Sequence, residues 1–388
     1  MAEKVVKIAL VTRGFSRSWG GAERVSVALA KSLSGGGCEV TVFTERIDEA
    51  EDTEGLKVVK VQGGGLKGTL RHLSFQKKIK TLLSQENFDV VFGLCQFFPQ
   101  DIYRASGGVH AHWMRLQYPN AFVRTLKYIL SPVHLVMVWL ESKIISALGA
   151  DKSRFVIVNS KLVKGHVLRY FKVDQDKVRV IYNGIDRELF SPAVKKERPS
   201  LRRELGIGDE KVVGLYVSNN WKRKGLKTII RGMKGRDENM VIIVVGRGKK
   251  ERFLRLARSE GLRDSSLIFA GVRTDVERFY GGSDFFVLPT QYDPCSNATL
   301  EAMATGLPVI TTDSNGASEF IEEGESGFIL KDSEDSKTLG LYLDRLQDST
   351  LRATMGERAT KAVSELSWER TMEETFSLCR EVLDKKAL

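Results

Sequence analysis

Short runs of consecutive apolar residues recur along the chain. Each leads into a polar, glycine-bearing loop and then a segment with apolar residues at helical spacing. KVVKIALV (residues 4–11) precedes RGFSRSWGGAER and then VSVALAKSL, and GGGCEVTVFT, LKVVKVQGG, FDVVFGLCQ and RFVIVNS follow in the same manner. Runs of this kind predict buried strands of a parallel sheet, and their alternation with helices predicts right-handed crossovers. The pattern restarts with KVVGLYVSN at residue 211 and continues through MVIIVVGRG, SSLIFAG, DFFVLP and LPVITT. A chain of 388 residues is too long for one ordinary core. The restart therefore predicts two α/β domains, residues 1–190 and 200–365. The linker is expected at FSPAVKKERPS, residues 190–200, where two prolines and mixed charge interrupt the pattern.

The most informative stretch runs from Asp284 to Glu319. Pro294 stops any early helix, Ala298–Ala304 favours one, and Gly306 stands where it would end. Asp293 and Glu301 lie eight residues apart, before and within that helix. Between them, Ser296, Asn297 and Ala298 would present backbone N–H groups at a helix start, a site suited to an anion. Two hydroxyl acceptors flanking an anion site match a nucleotide-sugar: sugar at one end, diphosphate in the middle, ribose at the other. Earlier, Gly20 and Gly21 fall between the first strand and its helix, where a ligand can approach backbone closely. The loop is not GxGxxG, so no dinucleotide fingerprint is present.

DPCSNATLE, followed in register by LPVITT and NGASE, resembles the acid-x7-acid motif of retaining GT-B glycosyltransferases of family 4. The first acid is Asp293 where most of that family has Glu, as in branches related to the lipopolysaccharide-core glucosyltransferase I group. GGAER, VIYNGID and the basic run Lys222, Arg223, Lys224 beside Gly225 extend the resemblance over almost the whole chain. It implies two Rossmann-like α/β domains facing each other across a cleft, with the last helix, 366–388, crossing back to the first domain. It also implies transfer of a hexose from a nucleotide-diphosphate sugar, of UDP-glucose type, with retention through front-face attack. Asp293 would orient the sugar and Glu301 the ribose, while Arg223 and Lys224 hold the diphosphate. Gly20, Gly21, Asn219, Gly246, Val272, Arg273, Ser296, Asn297 and Ala298 would complete the donor site. His110, in the GGVHAH loop, is the acceptor-side candidate, with His112 as its alternate; some relatives carry an acid near Gly107 that this chain lacks. No cofactor and no metal are expected. The one short Asp-x-Asp, Asp174 and Asp176, reads as a surface turn.

Charge adds an acceptor class. The net charge is +11, and residues 1–187 carry 28 Lys and Arg against 17 Asp and Glu, whereas residues 188–388 carry 32 of each. A basic half suits an anionic substrate or an anionic membrane surface; without a zinc-finger or RNP signature, nucleic acid is not expected. The apolar stretch 120–145, interspersed with Arg124, Lys127 and Lys143 and broken by Pro132, reads either as an amphipathic surface on anionic lipid or as core. No run reaches the roughly 18 apolar residues of a membrane span, and MAEKVVKIALVTRGF does not read as a signal peptide. Cys38, Cys95, Cys295 and Cys379 are scattered, as in a reducing compartment. These features predict a cytoplasmic enzyme held peripherally at the inner face of the membrane, acting on a lipid-linked or anionic glycan such as lipopolysaccharide core. The rival readings are a phosphorylase or epimerase of the same architecture and a non-catalytic, membrane-associated nucleotide-sugar or glycan-binding protein. A phosphorylase would need a pyridoxal-phosphate lysine pocket, which the sequence does not identify.

Overall fold

The computed structural model describes residues 5–17, 19, 21–61 and 68–387. The chain forms two compact units, Met1–Asn183 with Trp368–Leu388, and Gly184–Ser367. The first holds seven strands: β1 (Lys7–Phe15), β2 (Glu39–Ile47), β3 (Lys57–Lys60), β4 (Val90–Gly93), β5 (Ile102–Arg104), β6 (Phe155–Val158) and β7 (Val178–Val180). They lie in the order β3-β2-β1-β4-β5-β6-β7 and every pairing is parallel. The second unit holds β8 (Val212–Val217), β9 (Met240–Val245), β10 (Leu267–Gly271), β11 (Phe285–Leu288), β12 (Val309–Thr312) and β13 (Gly327–Leu330). Their order is β10-β9-β8-β11-β12-β13, again all parallel. VVGLYV, MVIIVV, FFVL and VITT are buried along almost their whole length, because helices cover both faces of such a sheet.

The helix Trp368–Ala387 belongs to the first unit. Met372, Leu378, Cys379 and Val382 enter the same apolar cluster as Ile8 and Leu10 of β1, Val40 and Val42 of β2, and Phe92 of β4. Burying a side chain of this size contributes roughly 1.5–3 kcal/mol. Thr371 also donates to the Tyr182 carbonyl at 2.9 Å, and Lys386 to the Asp101 carboxylate at 2.7 Å.

Three features depart from the sequence reading. The division falls at Asn183, not in 190–200, because the segment after it is fastened to the second unit. Arg202, with a side chain 2% exposed, meets Asp284 at 2.7 Å, and Arg198 meets the other oxygen of that carboxylate at 2.7 Å. IYR, within the loop after β4, is a strand in the middle of the first sheet; three residues are too few for a periodic signal. The 120–145 stretch divides at Pro132, which precedes the second of two helices bent by 100°. Helix Ala121–Leu130 buries none of its residues, whereas Val133–Ala150 sends Leu140, Ile144 and Ile145 inward. The stretch is thus neither wholly surface nor wholly core: its first half is an exposed helix and its second half packs inward. No single helix among the described residues is long and apolar enough to cross a membrane, although this bent pair passes that test together.

Candidate functional site

In the second unit the singled-out residues all follow the C-terminal ends of strands. Asn219, Arg223 and Lys224 follow β8, Gly246 follows β9, Val272 and Arg273 follow β10, and Asp293 to Glu301 follow β11. Strand order reverses between β8 and β11. Loops leaving a parallel sheet at such a point diverge and open a crevice where ligands gather. At that reversal the Lys224 ammonium is in ion-pair contact with the Asp293 carboxylate, their side chains only 11% and 13% exposed. Burial, and then the Arg223 charge, press the Lys224 pKa well down, with Cys295 opposing. The Asp293 carboxylate also opposes them, since an opposite charge in contact favours the ammonium. Burial likewise lowers the Arg223 pKa, against Tyr292 and Tyr216.

A buried polar frame fixes the loop that presents Asp293. Asn315, fully buried, accepts from the Ser296 and Ala317 N–H groups at 3.1 Å each and donates to Thr299 Oγ1 and Thr311 Oγ1 at 3.0 Å. It thereby ties the end of β12 to the start of helix Asn297–Ala304. Ser296 caps that helix by accepting from the Thr299 N–H. Asp293 itself is held through its backbone, donating to the Ser314 carbonyl and accepting from the Gly316 N–H. Gln291 N–H donates to the Arg223 carbonyl at 2.9 Å, joining the two loops across the reversal. Glu301 accepts from the hydroxyl of the buried Tyr280 at 2.9 Å. Asn315 and Tyr280 carry positioning roles that sequence reasoning missed. NGASE marks a motif but not what its Asn bonds, and nothing local ties Tyr280 to Glu301.

Two glycines here are required by close approach. A Cβ on Gly225, whose φ is +81°, would stand 2.0 Å from the Pro289 carbonyl oxygen. One on Gly246, at φ +118°, would stand 2.1 Å from that of Ser218. The bareness of Gly246 thus serves packing within the chain. Asn219 accepts from the Arg247 N–H at 2.9 Å and so holds the same turn. Val272 is 61% exposed, and Arg273 forms a two-point pair with Asp275, both contacts 2.8 Å.

In the first unit, Gly20 lies outside the described residues, and Gly21 opens helix Gly21–Gly35 after β1. His110 opens helix His110–Gln117 after β5. Its ring Nε2 lies 3.1 Å from His134 Nδ1. Burial, with His134 and His72 nearby, takes its pKa down to about 4, so the ring is neutral at neutral pH. His112 stacks on His166 and meets the Tyr170 hydroxyl. The His110 N–H donates to the carboxyl of Glu141, which is fully buried. Burial pushes Glu141 up to about 8, although the His110 and Ala111 N–H groups oppose it. Near the ends of β1 and β2, Arg13 of β1 and Arg71 of helix Gly68–Leu83 meet Glu45 of β2 at 2.9 and 3.1 Å, and Arg13 meets His72 at 3.1 Å. Burial raises the Glu45 pKa, but the two guanidiniums outweigh it and hold Glu45 below its usual range. No group of three or more His, Cys, Asp or Glu side chains among the described residues is arranged to hold a metal.

Two family models match successive parts of the chain, Glycosyltransferase Family 4 over residues 19–189 and Glycosyl transferases group 1 over residues 197–362. An uncharacterized glycosyltransferase of Methanocaldococcus jannaschii is 28% identical over 397 residues, covering 96% of this chain and 97% of that one. The crystal structure of WaaG, a glycosyltransferase involved in lipopolysaccharide biosynthesis, superposes with a TM-score of 0.79 at 18% identity, covering 95% of this chain and 98% of that one. Anabaena HepE in complex with UDP-glucose superposes with a TM-score of 0.72 at 20% identity, covering 96% and 99%. Matched in both halves by glycosyltransferase models and built on the two parallel sheets these structures share, the chain belongs to the family 4 glycosyltransferases of the GT-B fold.

Proposed function

We propose that the protein transfers a hexose, with retention, from a nucleotide-diphosphate sugar to a glycan acceptor. The observation that carries this reading is the Lys224–Asp293 contact at the strand-order reversal, with Arg223 beside it and the Ser296-capped helix following. Breaking a glycosidic bond to a diphosphate develops positive charge on the sugar and negative charge on the leaving group. Arg223, Lys224 and the first N–H groups of helix Asn297–Ala304 supply fixed positive ends for that anion. Asp293 orients the sugar hydroxyls, and Glu301, steadied by Tyr280, takes the ribose hydroxyls. The departing phosphate accepts the acceptor proton, so no step is assigned to a metal. UDP-glucose is the favoured donor class, since HepE, of the same fold, binds it. A thermal-shift panel of UDP-, GDP- and ADP-sugars in EDTA tests this reading, because a ligand bound only by the folded state raises its melting temperature. One nucleotide series is expected to raise it. No shift with any of them would favour a glycan-binding protein without donor chemistry, and a shift restored only by Mg²⁺ would contradict the metal-free scheme.

The acceptor we assign is a lipid-linked, anionic glycan at the inner face of a membrane, of lipopolysaccharide-core type. Helix Ala121–Leu130 supports this by leaving Phe122, Ile129 and Leu130 between 68% and 77% exposed, with Arg124 and Lys127 among them. Trp139 on helix Val133–Ala150 is a further exposed apolar side chain, 54% exposed. Apolar side chains beside cations suit an anionic lipid surface, each Lys or Arg adding about 1 kcal/mol. The role of WaaG in lipopolysaccharide biosynthesis agrees with this class.

A further inference from the structure

The turn that carries Arg223 and Lys224 has a second side. Lys222 of that turn, Lys227 of helix Leu226–Gly232, and Arg252 and Phe253 of helix Lys250–Ser259 line a cavity of about 250 Å³. Gln291 and Glu334 complete the part of the wall that matters here. Lys222, Lys227 and Arg252 have no ion-pair partner among the described residues, so three cations face one hole against the single carboxylate of Glu334. Phe253, 8% exposed, offers an apolar wall. Cations spread over an open surface are ordinarily just solvated. Here they converge on a concavity, where an anion would relieve their mutual repulsion and an organic body would cover the ring.

We propose that this cavity is a second anion site, for a small organic phosphate, coupled to the donor loop. The coupling has a visible path. Lys222 shares its turn with Lys224, and Gln291, which lines the cavity, bonds through its N–H to the Arg223 carbonyl. A phosphate drawing in Lys222 steadies the turn that presents Lys224 to Asp293. The binding site stands apart from the donor reading; only the coupling rests on it.

Phenyl phosphate, which combines a phosphate with a ring, is the probe. Calorimetric titration is expected to show saturable binding of one molecule per chain. The double variant Lys227→Glu/Arg252→Glu is expected to weaken that binding tenfold or more, whereas Lys224→Ala and Glu301→Ala leave it unchanged. Absence of saturable binding, or loss in Lys224→Ala with retention in the double variant, overturns the site. Saturating phenyl phosphate is also expected to shift the nucleotide-sugar dissociation constant by about fivefold or more, within the usual range of coupling between sites. An unchanged constant overturns the coupling and leaves the donor reading intact.

Discussion

Replacing Asp293 by Asn leaves Lys224 buried beside Arg223 with no carboxylate in contact. Burial and Arg223 already depress the Lys224 pKa, so the variant's ammonium loses its proton as the pH rises through a value well below the ordinary 10.5. Removing the opposing carboxylate lowers that pKa further, so donor affinity in Asp293→Asn is expected to fall off at a lower pH than in the wild type; titrations at stepped pH read this directly, and coincident profiles would contradict the pairing. Glu141 gives a second expectation at this scale. Folded, it keeps its proton up to about pH 8, while the ordinary value is 4.5. The folded state holds the extra proton between those values. Stability from this group is complete below pH 4.5 and is lost as the pH rises through 8. Glu141→Gln is expected to flatten that decline by at least roughly 1 kcal/mol in urea denaturation at pH 8.5 against pH 5. The individual acids and bases of the second unit were legible in the sequence because DPCSNATLE and RKG are local strings. Glu141 was not, since it lies 31 residues from the backbone it caps.

Among the elements, the buried strands were the most legible, because apolar runs bounded by glycine-rich loops have few alternatives in an alternating chain. β5 escaped because three residues carry no period, and the division of 120–145 into an exposed helix and a buried one stayed open because apolar spacing does not say what covers a helix. Nor could helical periodicity say which sheet the C-terminal helix Trp368–Ala387 joins. The packing of that helix can be weighed. Leu378 is 4% exposed within the first unit's cluster, so Leu378→Ala is expected to cost about 2–5 kcal/mol. The chemical denaturation midpoint of the unit would fall accordingly, and a change within 0.5 kcal/mol, the ordinary range for surface substitutions, would mean that the helix is not part of its core.

For the whole molecule, the confinement of the net charge to residues 1–187 and the exposed apolar helix in the same unit point the same way. Sedimentation with vesicles is expected to pellet the protein with anionic but not zwitterionic lipid. Salt at 1 M, where the Debye length is about 3 Å, should release it. Phe122→Ser with Ile129→Ser should reduce pelleting without altering nucleotide-sugar binding, and equal pelleting with both lipids would favour a soluble acceptor. The central claim is the donor site at the strand-order reversal, and its most direct measurement is a calorimetric titration of the nucleotide-sugar picked out by the thermal panel. The wild type should bind it saturably. Lys224→Ala and Glu301→Ala should each weaken binding about tenfold or more, a loss of about 1.4 kcal/mol, with an unchanged far-ultraviolet spectrum. A double variant that bound the donor as tightly as the wild type would place the donor elsewhere and contradict the account.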